Sequence, residues 1–196
     1  MLLPAYCAKS ALVAEHSQED AGSVAGGPGS GGVSGRAGVR LAVDVGDVRV
    51  GVAVSDPDAL VATPVMTLRR DHNRSSDIRM LLKMAADRGA VIVYVGLPLS
   101  LSGKETPSTS KAQAYARELA SSLAEAQLAA DVHLVDERLS TVSASAKMRA
   151  SGRDARQQKE DIDQAAAVEI LHHALEIRRA QGREPGTPVL PHSSQG

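Results

Sequence analysis

Three short stretches carry acidic residues where chemistry is possible. In Asp44-Val45-Gly46-Asp47-Val48-Arg49-Val50-Gly51, Asp44 interrupts an otherwise apolar run near its end. A carboxylate in such a place must be paired, bind a metal or change its protonation, because burying it alone costs several kcal/mol. The alternative is a turn that Gly46 and Asp47 form and Asp44 caps. In Val135-Asp136-Glu137-Arg138-Leu139-Ser140-Thr141, two adjacent acids end a second apolar run just before a helix signal. Surface charges with Ser140 or Thr141 as a helix cap explain the threonine but not the two acids. In Lys159-Glu160-Asp161-Ile162-Asp163-Gln164, Glu160 and Asp163 are three apart and share a helix face. Acids in a helix's first turn are also favoured by its dipole alone.

Taken together, the three stretches predict carboxylates converging from two strand ends and one helix start. Such a cluster repels itself unless a cation relieves it, and oxygen-only ligands suit Mg²⁺ or Mn²⁺. Two such ions about 4 Å apart clamp the attacking and leaving oxygens of an in-line phosphoryl displacement. Asp44, Asp136, Glu137 and Asp163 are the expected ligands and catalytic residues. Adjacent strand residues face opposite ways, so one of Asp136 and Glu137 is expected at the metal. A fourth stretch, Val95-Gly96-Leu97-Pro98-Leu99-Ser100, ends a buried run on a glycine that permits close backbone approach. Lys104 in the following loop is placed to meet a phosphate, although no GxxxxGK[ST] phosphate loop is present.

The elements that must position these residues are legible from periodicity. Residues 22–38 hold eight glycines in seventeen positions, so 1–38 is read as a flexible arm. Residues 182–196, rich in Gly, Pro and Ser, are read as a flexible tail. Between them, 39–181 reads as one α/β domain. Val39–Val45 and Arg49–Ser55 predict a hairpin, and Val65–Leu68 a third strand after Thr63-Pro64. A helix starting at Ser76 or Asp77 and closing near Gly89 comes next. Val91–Val95 and Val132–Val135 read as buried strands, and Thr109–Ala126 as the helix between them. A short helix from Thr141 to about Gly152 and a last helix over Ile162–Arg179 complete the order. The expected fold is a mixed five-stranded sheet with helices on its faces.

Composition narrows the functions. With 43% hydrophobic residues in 196, there is enough for one real core. No apolar run approaches the roughly 20 residues of a membrane span, and nothing reads as a signal peptide. A single cysteine, Cys7, rules out an internal disulfide framework and suits a reducing, cytoplasmic location. Setting aside the arm and tail removes three of 22 basic and four of 23 acidic residues, leaving 19 of each. Any nucleic-acid surface is therefore local. The candidates are Arg69, Arg70, His72 and Arg74, and a second run of Arg149, Arg153, Arg156 and Lys159. Three tyrosines, with no Phe or Trp, argue against stacking platforms for splayed bases. His172-His173 have no partners at ligand spacing and read as helix surface.

The motifs resemble the YqgF/RuvX family of bacterial RNase H-like nucleases. Four blocks carry the resemblance, in order: AVDVGDVRVGVAVSD, VYVGLPLSLSG, LVDERLST and DIDQAAAVEIL. It spans about Arg40 to Leu175. It implies an RNase H-like fold and a divalent-metal nuclease site at Asp44, Asp136, Glu137 and Asp163. Arg49 and Arg138 match basic positions near that site, and with Lys104 and Thr141 they are the expected nucleic-acid contacts. Val48 departs from the family, where a basic residue commonly precedes the motif arginine. The resemblance implies maturation of the 5′ end of pre-16S rRNA in ribosome biogenesis. The helices carry single apolar stripes that the sheet should consume, so a monomer or weak homodimer is expected. Alternatives are a Holliday junction resolvase acting on branched DNA and a noncatalytic RNA-binding or assembly factor. An actin-like ATPase would need a second phosphate-binding DxG loop after a strand. Asp20-Ala21-Gly22 is a further DxG, but it lies in the arm and not after a strand.

Overall fold

The computed structural model describes residues 36–100, 102–137 and 155–191. They fall within one unit, Gly32–Gly196. The elements are β1 Val39–Val45, β2 Arg49–Ser55, β3 Ala62–Arg69, α1 Ser76–Arg88, β4 Ala90–Leu97, α2 Pro107–Glu125, β5 Asp131–Asp136, α3 Ala155–Gln181 and β6 Thr187–Val189.

The strands form one mixed sheet in the order β3-β2-β1-β4-β5-β6. The meander β1-β2-β3 is antiparallel, while β4 pairs with β1 and β5 with β4 in parallel. This is the mixed sheet that the pattern implied, and the RNase H-like arrangement that the family resemblance implied, with β6 added. Residues 182–191 are thus not the flexible tail expected from composition: β6 pairs antiparallel with β5, with Val189 opposite Val132. A three-residue strand with Pro188 at its centre carries almost no periodic signal, and proline is tolerated there because the strand is an edge. The sheet has six strands rather than five for the same reason.

Alternation along the strands sorts their side chains to two faces. Leu41, Val43, Val50, Val52, Val93 and Val95 meet α1 and α2 on one face. Ala42, Ala53, Ile92, Tyr94 and Val135 meet α3 on the other. Midway along this face β1 and β2 carry the small residues Ala42, Gly51 and Ala53, and this lets the long helix lie close to the sheet. Because β3 is antiparallel to β2, it runs the same way as β1, β4 and β5. The carboxyl ends of all four strands therefore share one edge.

Local signals set the helix limits. Gly89, in the left-handed region at φ 60°, closes α1 by donating to the carbonyls of Ala85 and Ala86. Thr106 caps α2 in a reciprocal box with Thr109, and Pro107 occupies the first turn.

Candidate active site at the carboxyl edge of the sheet

Asp44 stands one residue before the end of β1, opposite Gly51 of β2. On the other side of β1, Val43 pairs with Val95, so Asp44 comes level with Gly96 of β4. By alternation Asp44 shares the α3 face with Ala42. Its two neighbouring strands thus present glycines beside it.

Each glycine makes room for an acid. A Cβ on Gly51 would overlap the backbone carbonyl oxygen of Asp163, so the start of the packed part of α3 lies directly on β2 at this point. A Cβ on Gly96 would overlap Oε1 of Glu137 and Cδ1 of Ile170. Glu137 therefore lies over β4, on the face that α3 covers. Three acids predicted from sequence, Asp44, Glu137 and Asp163, are brought to one stretch of sheet edge by two missing side chains.

Asp136 is placed differently. It pairs with Leu97, which packs with the cluster under α1 and α2. Asp136 also lines a second recess with His173, Ile177, Arg183 and Gly186. Of the two adjacent acids, the one laid over Gly96 is Glu137.

Asp163 does not stand alone. Arg49 Nε donates to Asp163 Oδ2 at 2.5 Å, with both side chains less than a third exposed. The Thr67 hydroxyl donates to the Glu160 carbonyl at 3.0 Å, tying the same turn of α3 to β3. Val48, Arg49, Thr67, Arg69 and Glu160 line an open recess of about 380 Å³ beside this ion pair. Among the described residues no three His, Cys, Asp or Glu side chains already form a ready-made metal cluster. Arg49 supplies the positive charge at Asp163 in this state. The donor set nevertheless fits a hard divalent cation in kind: carboxylate oxygens, rigidly held against strand backbone, with no sulfur or imidazole among them.

Lys104 is exposed in the loop after β4, at the same edge. The loop is closed by Ser100 and Gly103, with the Lys104 amide donating to Ser100 Oγ at 2.9 Å. Arg138, Thr141, the helix expected from Thr141 to Gly152, and Arg149 and Arg153 lie outside the described residues, as do the side chains of Arg156 and Lys159. His172 is exposed beside Glu176 on the surface of α3, as its spacing suggested. His173 is not simple surface: its Nε2 is buried in the recess that Asp136 lines.

The sequence comparisons agree with this architecture. The family model for RuvX, described as Holliday junction resolvase, matches residues 38–177. The chain belongs to the RuvX family. It is 54% identical over 154 residues to a Clavibacter sepedonicus protein named "Putative pre-16S rRNA nuclease", covering 79% of this chain and 92% of that one. A Leifsonia xyli subsp. xyli protein of the same name is 47% identical, with 80% and 97% covered. Among solved structures, Thermus thermophilus RuvC in complex with a Holliday junction substrate aligns at a TM-score of 0.49 and 13% identity, covering 77% of this chain and 99% of that one.

Two features of the site were hidden in sequence. The Arg49–Asp163 ion pair joins residues 114 positions apart, and no local pattern announces it. Gly51 reads as an ordinary strand residue until the helix over it is known.

Proposed function

We propose that this RuvX-family chain is a divalent-metal-dependent endonuclease that processes the 5′ end of pre-16S rRNA in the cytoplasm. The observation that carries the proposal is the placement of Asp44 between Gly51 and Gly96, the two positions over which Asp163 and Glu137 are laid. Asp44, Glu137 and Asp163 would hold Mg²⁺ or Mn²⁺. When bound, the cation would supply Lewis-acid stabilisation of the charge that develops in phosphodiester hydrolysis.

The chain's own residues orient the reaction. Packing against strand backbone fixes Glu137 and Asp163 without long flexible linkages, which conserves the geometry that in-line attack requires. Arg49 lies between Asp163 and the open recess, where an entering phosphate competes with Asp163 for its guanidinium. Lys104, at the carboxyl edge beyond β4, is a second candidate phosphate ligand, and in the chain Arg138 directly follows Glu137 and Thr141 comes three residues after Arg138. RNA substrate fits the relatives' name, while branched DNA fits the family's description.

The deciding experiment compares 5′ leader RNA, free and in pre-ribosomal particles, with four-way DNA junctions at equal salt and Mn²⁺. Cleavage of the leader is expected, more efficiently in particles than free. A resolvase needs two coordinated, symmetric cuts and hence a paired dimer. Paired symmetric cuts in the junction, with leader RNA intact in both forms, would transfer the assignment to junction resolution. No cleavage of either, with RNA binding retained, would favour an assembly factor.

A further inference from the structure

We propose that Arg69, with the β3–α1 loop carrying His72 and Arg74, forms a phosphate track that holds the substrate strand flanking the cut. The inference rests on the nuclease reading and extends it to a surface on the other side of β2.

The register puts Arg69 directly opposite Arg49 across the β2–β3 pair. Like charges opposite one another in a sheet repel. Arg49 is neutralised by Asp163, but exposed Arg69 has no acidic partner among the described residues. Its neighbour Arg70 is turned inward, donating to buried Asp77 at 2.8 Å with its guanidinium carbon 4.2 Å from the centre of the Tyr115 ring. One of two adjacent arginines thus serves the core, and the other is left facing solvent beside the site.

Position and charge make Arg69 a relay. It lines the 380 Å³ recess that Arg49 borders and also a separate recess of about 430 Å³, distinct from the one Asp136 lines, with His72, Asn73 and Ser76. Two strand spacings separate β3 from β1, about 10 Å in all. At about 3.4 Å of axial rise per nucleotide, that is about three stacked nucleotides from the carboxylates.

The acids nearby are already occupied. Asp71 Oδ1 accepts from the amides of Asn73 and Arg74, and its Oδ2 from Ser76 Oγ. The Ser76 hydroxyl and those amides hold its carboxyl at about 2. Asp47 is paired with Lys111 at 2.5 Å, and its carbonyl lies 3.4 Å from His72 Nε2. Among the described residues, Glu160 is the one acid that lines the first recess together with Arg69. The loop is thus pre-shaped, with Ser75 held at φ 48° and Arg74 exposed.

The test is fluorescence anisotropy of labelled leader RNA with the full chain, titrated across salt in Ca²⁺. Variants are Arg69→Ala, Arg69→Lys, Arg69→Ala/Arg74→Ala, and Arg88→Ala as a charge-matched control at the other end of α1. The slope of log Kd against log salt should shrink by about 0.7 for each single-strand phosphate that is no longer neutralised. Arg69→Ala should release about one phosphate and the double variant about two, while Arg69→Lys and Arg88→Ala keep the wild-type slope. In cleavage, Arg69→Ala should raise KM and leave kcat near wild type. Wild-type binding with an unchanged slope in the double variant would overturn the track and leave the nuclease reading standing. Wild-type protein that neither binds nor cuts leader RNA would overturn both.

Discussion

Asp44, Glu137 and Asp163 come from three elements, and what joins them is the absence of side chains at Gly51 and Gly96. Asp44→Asn should therefore fold normally and lose about a thousandfold in cleavage rate, since a metal clamp supplies several kcal/mol at about 1.4 kcal/mol per tenfold. Its Tm should equal or exceed that of wild type, because one of several repelling carboxylates is gone. Near-normal Mg²⁺-dependent cleavage by Asp44→Asn would remove it from the site. Gly96→Ala is the sharper test of geometry. Its methyl group would occupy the place of Glu137 Oε1 and push against Ile170. We expect a loss of about 100-fold in rate from displacing Glu137. Overpacking should cost about 1–3 kcal/mol in urea unfolding. Wild-type activity in Gly96→Ala would mean that Glu137 is not where the chemistry occurs.

At the scale of elements, β6 and the turn before it are fastened by one acid. Glu184 Oε1 accepts from Arg40 Nη2 at 2.5 Å and from Arg178 Nε at 3.0 Å, and Tyr94 donates its hydroxyl to Oε2. Arg40 and Tyr94 are fully buried beneath α3. Glu184→Ala leaves the Arg40 charge without its carboxylate, so a loss of about 3–5 kcal/mol is expected in denaturant unfolding. Burial pushes the Glu184 carboxyl up, but the hydrogen bonds from Arg40 and Tyr94 and the charge of Arg40 outweigh it, and the net shift is downward. A lowered acid contributes stability above its ordinary value of 4.5 and loses it as pH falls through the folded value. Wild-type stability should therefore fall over that acidic window more steeply than that of Glu184→Gln; parallel profiles would exclude this contribution. None of this clasp was legible in sequence. Glu184 sits among Gly and Pro residues that read as tail, and Arg40 reads as a lone charge at a strand start. The strands β1 to β5 were legible, because each is a run of apolar or β-branched residues bounded by turn chemistry. So were the acids at their ends, since a carboxylate closing a buried strand violates the pattern around it. The choice between Asp136 and Glu137 was not, because it depends on which face α3 covers.

At the scale of the whole molecule, the ordered fold reaches slightly beyond the boundaries that composition suggests, at both ends. Arg36 falls within the glycine-rich stretch, yet its guanidinium meets Asp131 at 3.3 Å and donates to the Ala129 carbonyl at 2.8 Å. Its own carbonyl accepts from buried Arg40 at 2.7 Å. At the other end, Val189 continues the sheet against Val132. A chain trimmed to residues 36–191 should thus melt cooperatively, with a Tm within a few degrees of the full chain. A chain trimmed to 39–181 removes β6, the Glu184 carboxylate and the carbonyls of Arg36 and Gly38 together, all of which accept from Arg40 except the strand itself. We expect that shorter chain to be destabilised by at least the roughly 3–5 kcal/mol that follows when a buried charge loses its partner. For a domain of this size, that is about 6–20 °C in Tm at about 2–4 °C per kcal/mol. Thermal melts of the two trimmed chains beside the full one decide the matter. Equal Tm values for 39–181 and 36–191 would show that the clasp and the sixth strand add nothing to stability.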